Sequence, residues 1–164
     1  MGLEVGSNPM TMDAIATLLA ERFAGDLTDV RVQEPDTVVA RCAREKLKDV
    51  AARLKADADA GYETLNWIAG VDRQTSFESV YHVYSWKTNT YLELHVDLPR
   101  AKPEVDTVTG VWPAADWHER ESWDMLGIVY AGHPDLRRIL LKDDFIGHPL
   151  RKDYIDNAEN HPHV

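Results

Sequence analysis

Three titratable residues, His118, Glu119 and Glu121, fall within four positions in the segment Trp117-His118-Glu119-Arg120-Glu121-Ser122-Trp123-Asp124. A carboxylate beside an imidazole can do general acid/base work, so one chemical reading is a small hydrolase in which Glu119 or Glu121 acts with His118. Helical spacing turns Glu119 and Glu121 in different directions, and a two-carboxylate site would need a partner from another element. The same spacing puts Arg120 and Asp124 on one face, where a pair with the cation first contributes on the order of a few tenths of a kcal/mol. Exposed charge is common and cheap, so the segment taken alone reads as a solvated or salt-bridged helix face ahead of an interface or a catalytic site.

Other chemistries find less support. Of the seven histidines, His82 and His95 lie in strand-like runs, and His133, His148 and His161 each precede proline. None has the helical spacing of an HExxH site, and His161 and His163 sit close to the C-terminus. Cys42 is the only cysteine, so neither an intramolecular disulfide nor a four-thiolate cluster or zinc site can form within the chain. Neither a glycine-rich phosphate loop nor a Gly-x-Ser-x-Gly elbow occurs. A net charge of -10 disfavours nucleic acid or anionic lipid as a partner. The N-terminal residues lack a basic-then-apolar leader, and no apolar run approaches the roughly 20 residues of a membrane span. The expectation is a soluble, intracellular protein that meets membranes only through partners.

Elements must position these residues. Met12, Ile15, Ala16, Leu18, Leu19 and Phe23 recur at spacings of three and four, predicting a helix over 10–23 that ends near Gly25. Val30 and Val32, then Val38 to Ala40, predict a hairpin about the turn-forming Glu34-Pro35-Asp36. Leu47, Val50, Ala51 and Leu54 place a second amphipathic helix within 43–60, stopping near Gly61. From there the period shortens to two. Runs over 78–86 and 91–98 predict strands joined by the loop 87–90, with a further strand over 62–71 and a stop at Pro99 to Pro103. The Tyr, Trp and Phe residues of this region read as sheet core rather than as a cofactor stack. Trp112-Pro113-Ala114 opens a third helix, with Asp116, Glu119 and Glu121 near its positive end and Gly127 closing it. The fold class is α+β, with helices packed on one face of a largely antiparallel or mixed sheet. A domain over 1–130 is followed by an extended tail over 131–164.

That tail is charged against its own domain. Residues 137–152 carry five basic residues, Arg137, Arg138, Lys142, Arg151 and Lys152, against Asp143 and Asp144. Between them lie Leu136, Ile139, Leu140, Leu141, Phe145, Ile146 and Leu150, too many apolar side chains to leave in water. Either the chain's own sheet or a partner with an acidic surface must cover them.

The run Trp117-His118-Glu119-Arg120-Glu121-Ser122-Trp123-Asp124-Met125-Leu126-Gly127-Ile128, with Gly132-His133-Pro134-Asp135-Leu136-Arg137-Arg138-Ile139-Leu140 and Gly147-His148-Pro149-Leu150-Arg151-Lys152-Asp153-Tyr154, resembles the C-type subunit family of respiratory complex I. The match is specific from about Trp112 to Tyr154, and upstream it is one of length and element order. Leu126 stands where the family commonly has an aromatic residue, and His118 where it commonly has Tyr. The resemblance implies a non-catalytic scaffold subunit in the hydrophilic arm of an NADH:quinone oxidoreductase that couples electron transfer to ion translocation. No cofactor is expected in this chain; FMN, iron-sulfur clusters and quinone are implied in partner subunits. The implied partners are a separate quinone-site protein, of the D type, and iron-sulfur subunits, with peripheral placement at the cytoplasmic face of the membrane. Relatives fed by a deazaflavin cofactor or ferredoxin, and membrane-bound hydrogenases, carry similar motifs, so the electron donor stays open. As partner contacts or structural motif residues the resemblance points to Glu119, Arg120, Glu121, Asp124, Gly127, His133, Pro134, Arg137, Arg138, Pro149, Arg151, Lys152 and Asp153. Arg137, Arg138, Arg151 and Lys152 are expected to reach carboxylates of a partner.

Overall fold

The computed structural model describes residues 10–33 and 35–157; Glu34, His161 and His163 lie outside them. Helix α1 spans Met12–Arg22, with the Thr11 hydroxyl accepting from the Ala14 N–H as an N-cap should. Strands β1 (Leu27–Gln33) and β2 (Thr37–Cys42) form the expected antiparallel hairpin, broken by a bulge between Thr28 and Arg31.

The second helix is shorter than its apolar pattern suggests. A 3-10 turn over Arg44–Lys46 leads into α2, Leu47–Ala56. Asp57 stops the helix, because its carboxylate accepts from the N–H groups of Asp59 and Ala60 and so offers the backbone an alternative to further helical bonds. Strands β3 (Thr64–Asp72), β4 (Ser76–Ser85) and β5 (Thr90–Pro99) make an antiparallel meander. Strand β5 then pairs with β2 in parallel, which gives the five-stranded order β1-β2-β5-β4-β3. The sheet is therefore mixed.

Strand β6 (Glu104–Asp106), helix α3 (Ala115–Leu126) and strand β7 (Val129–Ala131) complete the fold, with β6 and β7 paired in parallel as a separate ribbon. The ribbon is not apparent in the sequence, since three-residue strands carry no readable period. Pro113 lies before the N-cap Ala114 rather than in the first turn of α3.

The core joins α1 (Ile15, Leu19), α2 (Leu47, Val50, Leu54), the inward positions of β4 and β5 (Tyr81, Val83, Leu92, Leu94, Val96), and Leu126, Ile128 and Tyr130. Helix α3 seats closely on β3. A Cβ added at Gly70 would lie 2.6 Å from Leu126 Cδ1 and 3.0 Å from Ile128 Cδ1.

The central aromatics do not all enter this core. Phe77 and Tyr81 do, whereas Trp67, Tyr84, Tyr91 and Trp86 lie on the other face or at its edge. Period-two alternation explains the division, because residues of opposite parity point to opposite faces.

Candidate functional site

The polar residues singled out in the sequence converge where the C-terminal segment crosses α3. A helix leaves its last carbonyls without helical partners; here Gly127 supplies one and the segment after β7 the other three. Gly127, at φ 72°, donates to Trp123 O at 2.8 Å. His148 Nδ1 donates to Asp124 O at 3.0 Å, the Leu150 N–H to Met125 O at 3.0 Å, and Arg151 Nε to Leu126 O at 2.6 Å. Two guanidinium groups, Arg138 and Arg151, thus face the negative end of the helix dipole. Gly127 is obligatory in two ways: its φ favours glycine, and a Cβ there would meet Arg151 Nη2 at 2.5 Å and His148 at 2.7 Å.

Asp124 is fully buried and its carboxylate organises the turn of the segment. Arg138 Nη1 donates to Oδ1 at 2.6 Å, while the N–H groups of Ile139, Leu140 and Leu141 reach Oδ2 at 3.0, 2.9 and 3.1 Å. Burial alone would raise the Asp124 pKa, but these four hydrogen bonds outweigh it and hold the carboxyl below its ordinary value. Arg138 Nη2 also donates to Phe145 O at 2.8 Å and Gly147 O at 3.0 Å. Arg120 donates to the carbonyls of Arg137 and Arg138, both at 3.2 Å.

Two more anchors flank this turn. Asp72, at the end of β3, accepts from the Lys152 N–H at 2.9 Å, the Gln74 N–H at 2.7 Å and Arg100 Nη1 at 2.7 Å. Despite burial, these donors take its pKa down to about 2. Arg100 Nη2 also meets Asp153 at 2.8 Å. At the other end the His133 side chain is enclosed; Nε2 donates to Asp116 O at 3.2 Å and Nδ1 accepts from the Asp135 N–H at 3.0 Å. Next to it Glu119 is buried and accepts from the Thr107 hydroxyl at 2.5 Å and the Val108 N–H at 2.8 Å. Burial pushes its pKa up to about 7.

These distances revise several expectations. Arg120 and Asp124 do not pair, because the segment arriving from outside the helix offers each a better-placed partner. The solvated-face reading fails for Glu119, Arg120 and Asp124, which are 0%, 7% and 0% exposed; Glu121 alone of the group is exposed. The three members of the hydrolase reading do not converge, with Glu119 enclosed, His118 half-buried and Glu121 in solvent. Arg138 donates to this chain's own Asp124 and to the carbonyls of Phe145 and Gly147, and Arg151 Nε to Leu126 O. Arg137 remains largely exposed and pairs with Asp135 at 2.8 Å. Lys152 is exposed and tied through its backbone, Pro134 is exposed and Pro149 half-buried. Sequence reasoning missed Asp72, Arg100 and His148, whose roles arise only from contacts across the fold.

Beside charged residues, the segment leaves four large apolar side chains outside. Leu140, Ile146, Leu150 and Ile155 are 56 to 77% exposed. Among the described residues no group of three or more His, Cys, Asp and Glu could hold a metal ion, and no helix is long and apolar enough to cross a membrane.

The family model for the respiratory-chain NADH dehydrogenase 30 Kd subunit matches residues 40–160, a range that contains α3, both anchoring aspartates and most of the C-terminal segment. Among curated proteins, the chain is 41% identical over 140 residues to the C-type subunit of the NADH-quinone oxidoreductase of Geobacter sulfurreducens, covering 83% of this chain and 85% of that one. It is 43% identical over 118 residues to the corresponding NADH-quinone oxidoreductase subunit of a Roseiflexus strain, covering 70% and 68%. Among solved structures, a trypsin-resistant fragment of Nqo5 superposes with a TM-score of 0.63 at 29% identity, covering 74% of this chain and 98% of the fragment. A chain of the membrane-bound sulfane sulfur reductase, an archaeal respiratory membrane complex, shares the fold with a TM-score of 0.76 at 23% identity, covering 89% and 86%. The chain belongs to the 30 Kd subunit family of respiratory-chain NADH dehydrogenase, the C-type subunits of complex I.

Proposed function

We propose that this chain is a non-catalytic scaffold subunit in the hydrophilic arm of an NADH:quinone oxidoreductase-type complex. In this reading residues 131–164 form its docking segment, and electron transfer to quinone coupled to ion translocation takes place in neighbouring subunits. The carrying observation is the two-sidedness of the segment after β7. Backbone amides and the Arg138, His148 and Arg151 side chains hold it onto α3, Asp72 and Asp124, while four of its apolar side chains, Leu140, Ile146, Leu150 and Ile155, stay exposed among charged neighbours such as Lys142 and Lys152. A ridge held in this way loses little further entropy on association, so its apolar area is available for affinity. It lies peripheral to the membrane through its partners, a quinone-site subunit and iron-sulfur subunits, which carry the FMN, clusters and quinone. The names of the curated relatives support NADH as donor; the same ridge would serve a complex fed by a deazaflavin cofactor or ferredoxin, or a hydrogenase.

Replacing Leu140 and Leu150 together by Ser tests the reading, since both side chains are about 60% exposed (61% and 62%) and the isolated chain should keep its melting temperature. The amount of assembled complex on native gels should fall severalfold. Unchanged assembly with both substitutions in place refutes the docking role.

A further inference from the structure

The face of the sheet turned away from the helices carries a continuous row of rings. Trp67 stacks on His82 (centroids 4.7 Å, 9° between planes), His82 on Tyr91 (4.8 Å), Tyr91 lies 4.8 Å from Tyr84, and Tyr84 meets Trp86 edge-on at 4.9 Å. The register explains the row, because Trp67 is paired with His82 across β3 and β4, and Tyr84 with Tyr91 across β4 and β5. Ring pairs of this kind stabilise a sheet, but that does not explain Trp86. It sits just beyond β4, is 70% exposed, and is oriented by a hydrogen bond from its Nε1 to Thr64 Oγ1 at 3.0 Å.

Charge decides what such a row would take. Asp36, whose carbonyl accepts the Tyr91 N–H at 2.9 Å, and Glu63, the chain neighbour of Thr64, have no Lys or Arg within ion-pair distance among the described residues. Among the described residues Glu93, across from His82 on β5, has His95 at 3.5 Å and no Lys or Arg within ion-pair distance. Among the described residues other carboxylates have found a cation, such as Asp26 with Lys46 and Arg53 or Asp59 with Arg22, whereas Asp13, Glu21, Asp106 and Glu121 have no Lys or Arg within ion-pair distance. The aromatic row is thus bordered by carboxylates without Lys or Arg partners.

We propose that this aromatic row and its three carboxylates form a second docking surface, separate from the C-terminal segment, for an arginine- or lysine-bearing segment of a partner protein. Cations would lie over the ring faces of Tyr84 and Trp86 and meet Asp36, Glu63 and Glu93 at the border. Single-stranded nucleic acid also stacks on aromatic sheets, but the carboxylates would repel its phosphates. The surface goes beyond the scaffold reading above, because it does not depend on the exposed ridge.

The full chain should be titrated with a short fluorescein-labelled peptide alternating arginine and serine, read by anisotropy at moderate salt. Trp86→Ala and the isosteric double variant Asp36→Asn/Glu63→Gln, each with an unchanged melting temperature, should weaken binding roughly tenfold or more, the effect expected for losing an anchor. Asp143→Asn/Asp144→Asn, remote on the C-terminal segment, should bind like the native chain. The proposal is overturned if either sheet-face variant binds like the native chain, or if the remote variant loses as much. Equal binding of a glutamate-serine peptide, or tighter binding of a single-stranded oligonucleotide, would also overturn it. Because Leu140 and Leu150 take no part, failure here leaves the assembly test independent.

Discussion

Replacing Asp124 by Ala should free the C-terminal segment while leaving the sheet and its helices folded. Four donors converge on this carboxylate, namely Arg138 Nη1 and the N–H groups of Ile139, Leu140 and Leu141. Removing it strands three backbone donors and uncouples an arginine that is only 12% exposed. Breaking a buried charge pair costs about 3–5 kcal/mol, and each amide left without a partner would cost about 1–3 kcal/mol if it stayed buried. The segment will therefore open rather than remain in place with those penalties, so the docked state should lose about 3–5 kcal/mol. Hydrogen exchange at Ile139, Leu140 and Leu141 should accelerate by roughly two to three and a half orders of magnitude, since about 1.4 kcal/mol is tenfold. Amides of β4 and β5 should be unaffected. Asp124→Asn should behave nearly as badly, because its NH2 group would face donors and the charge opposite Arg138 would be gone. If the three amides stay protected in both variants, the carboxylate is not what holds the turn, and the reasoning fails.

Glu119, with its pKa raised by burial to about 7, makes the folded chain bind more protons than the unfolded chain between the ordinary value of 4.5 and that point. Stability should therefore fall as pH rises through this window and level off above it, a change on the order of 3 kcal/mol. Glu119→Gln keeps an acceptor for Val108 and should flatten that slope in urea titrations taken across the range; an unaltered slope would refute the assignment of the proton to Glu119. Gly127→Ala forces a side chain into φ 72° and into Arg151 and His148, so it should cost at least about 1 kcal/mol and expose the bonds after Arg137, Arg138 and Lys142 to trypsin. Gly70→Ala should push α3 from β3, lowering global stability by about 1–3 kcal/mol in chemical denaturation without a selective effect on the segment.

Alternation along 91–98, the spacing of four between Ile15, Leu19 and Phe23, and Gly127 after α3 make the sheet, the first helix and the third helix's end legible, because each is a local rule acting on near neighbours. The second helix ends early through a local competition that apolar spacing does not reveal, since Asp57 caps its own following amides. The parallel pairing of β2 with β5 has no local signature; it follows from where α2 and the meander return the chain.

The charged helix misleads for a different reason. Arg120 and Asp124 are helix neighbours, and local spacing offers each the other. Yet Asp124 finds three amides 15 to 17 residues away and Asp72 an amide 80 residues away. A buried carboxylate must have its hydrogen bonds met, and a segment rich in glycine and proline has amides to offer because it forms no regular structure of its own. The two features that look separate in sequence, a charged helix and an irregular basic tail, complete each other's hydrogen bonding. The family-like motifs of α3 and of the C-terminal segment are thus two halves of one structural unit, and a substitution in either half should release the same exposed ridge.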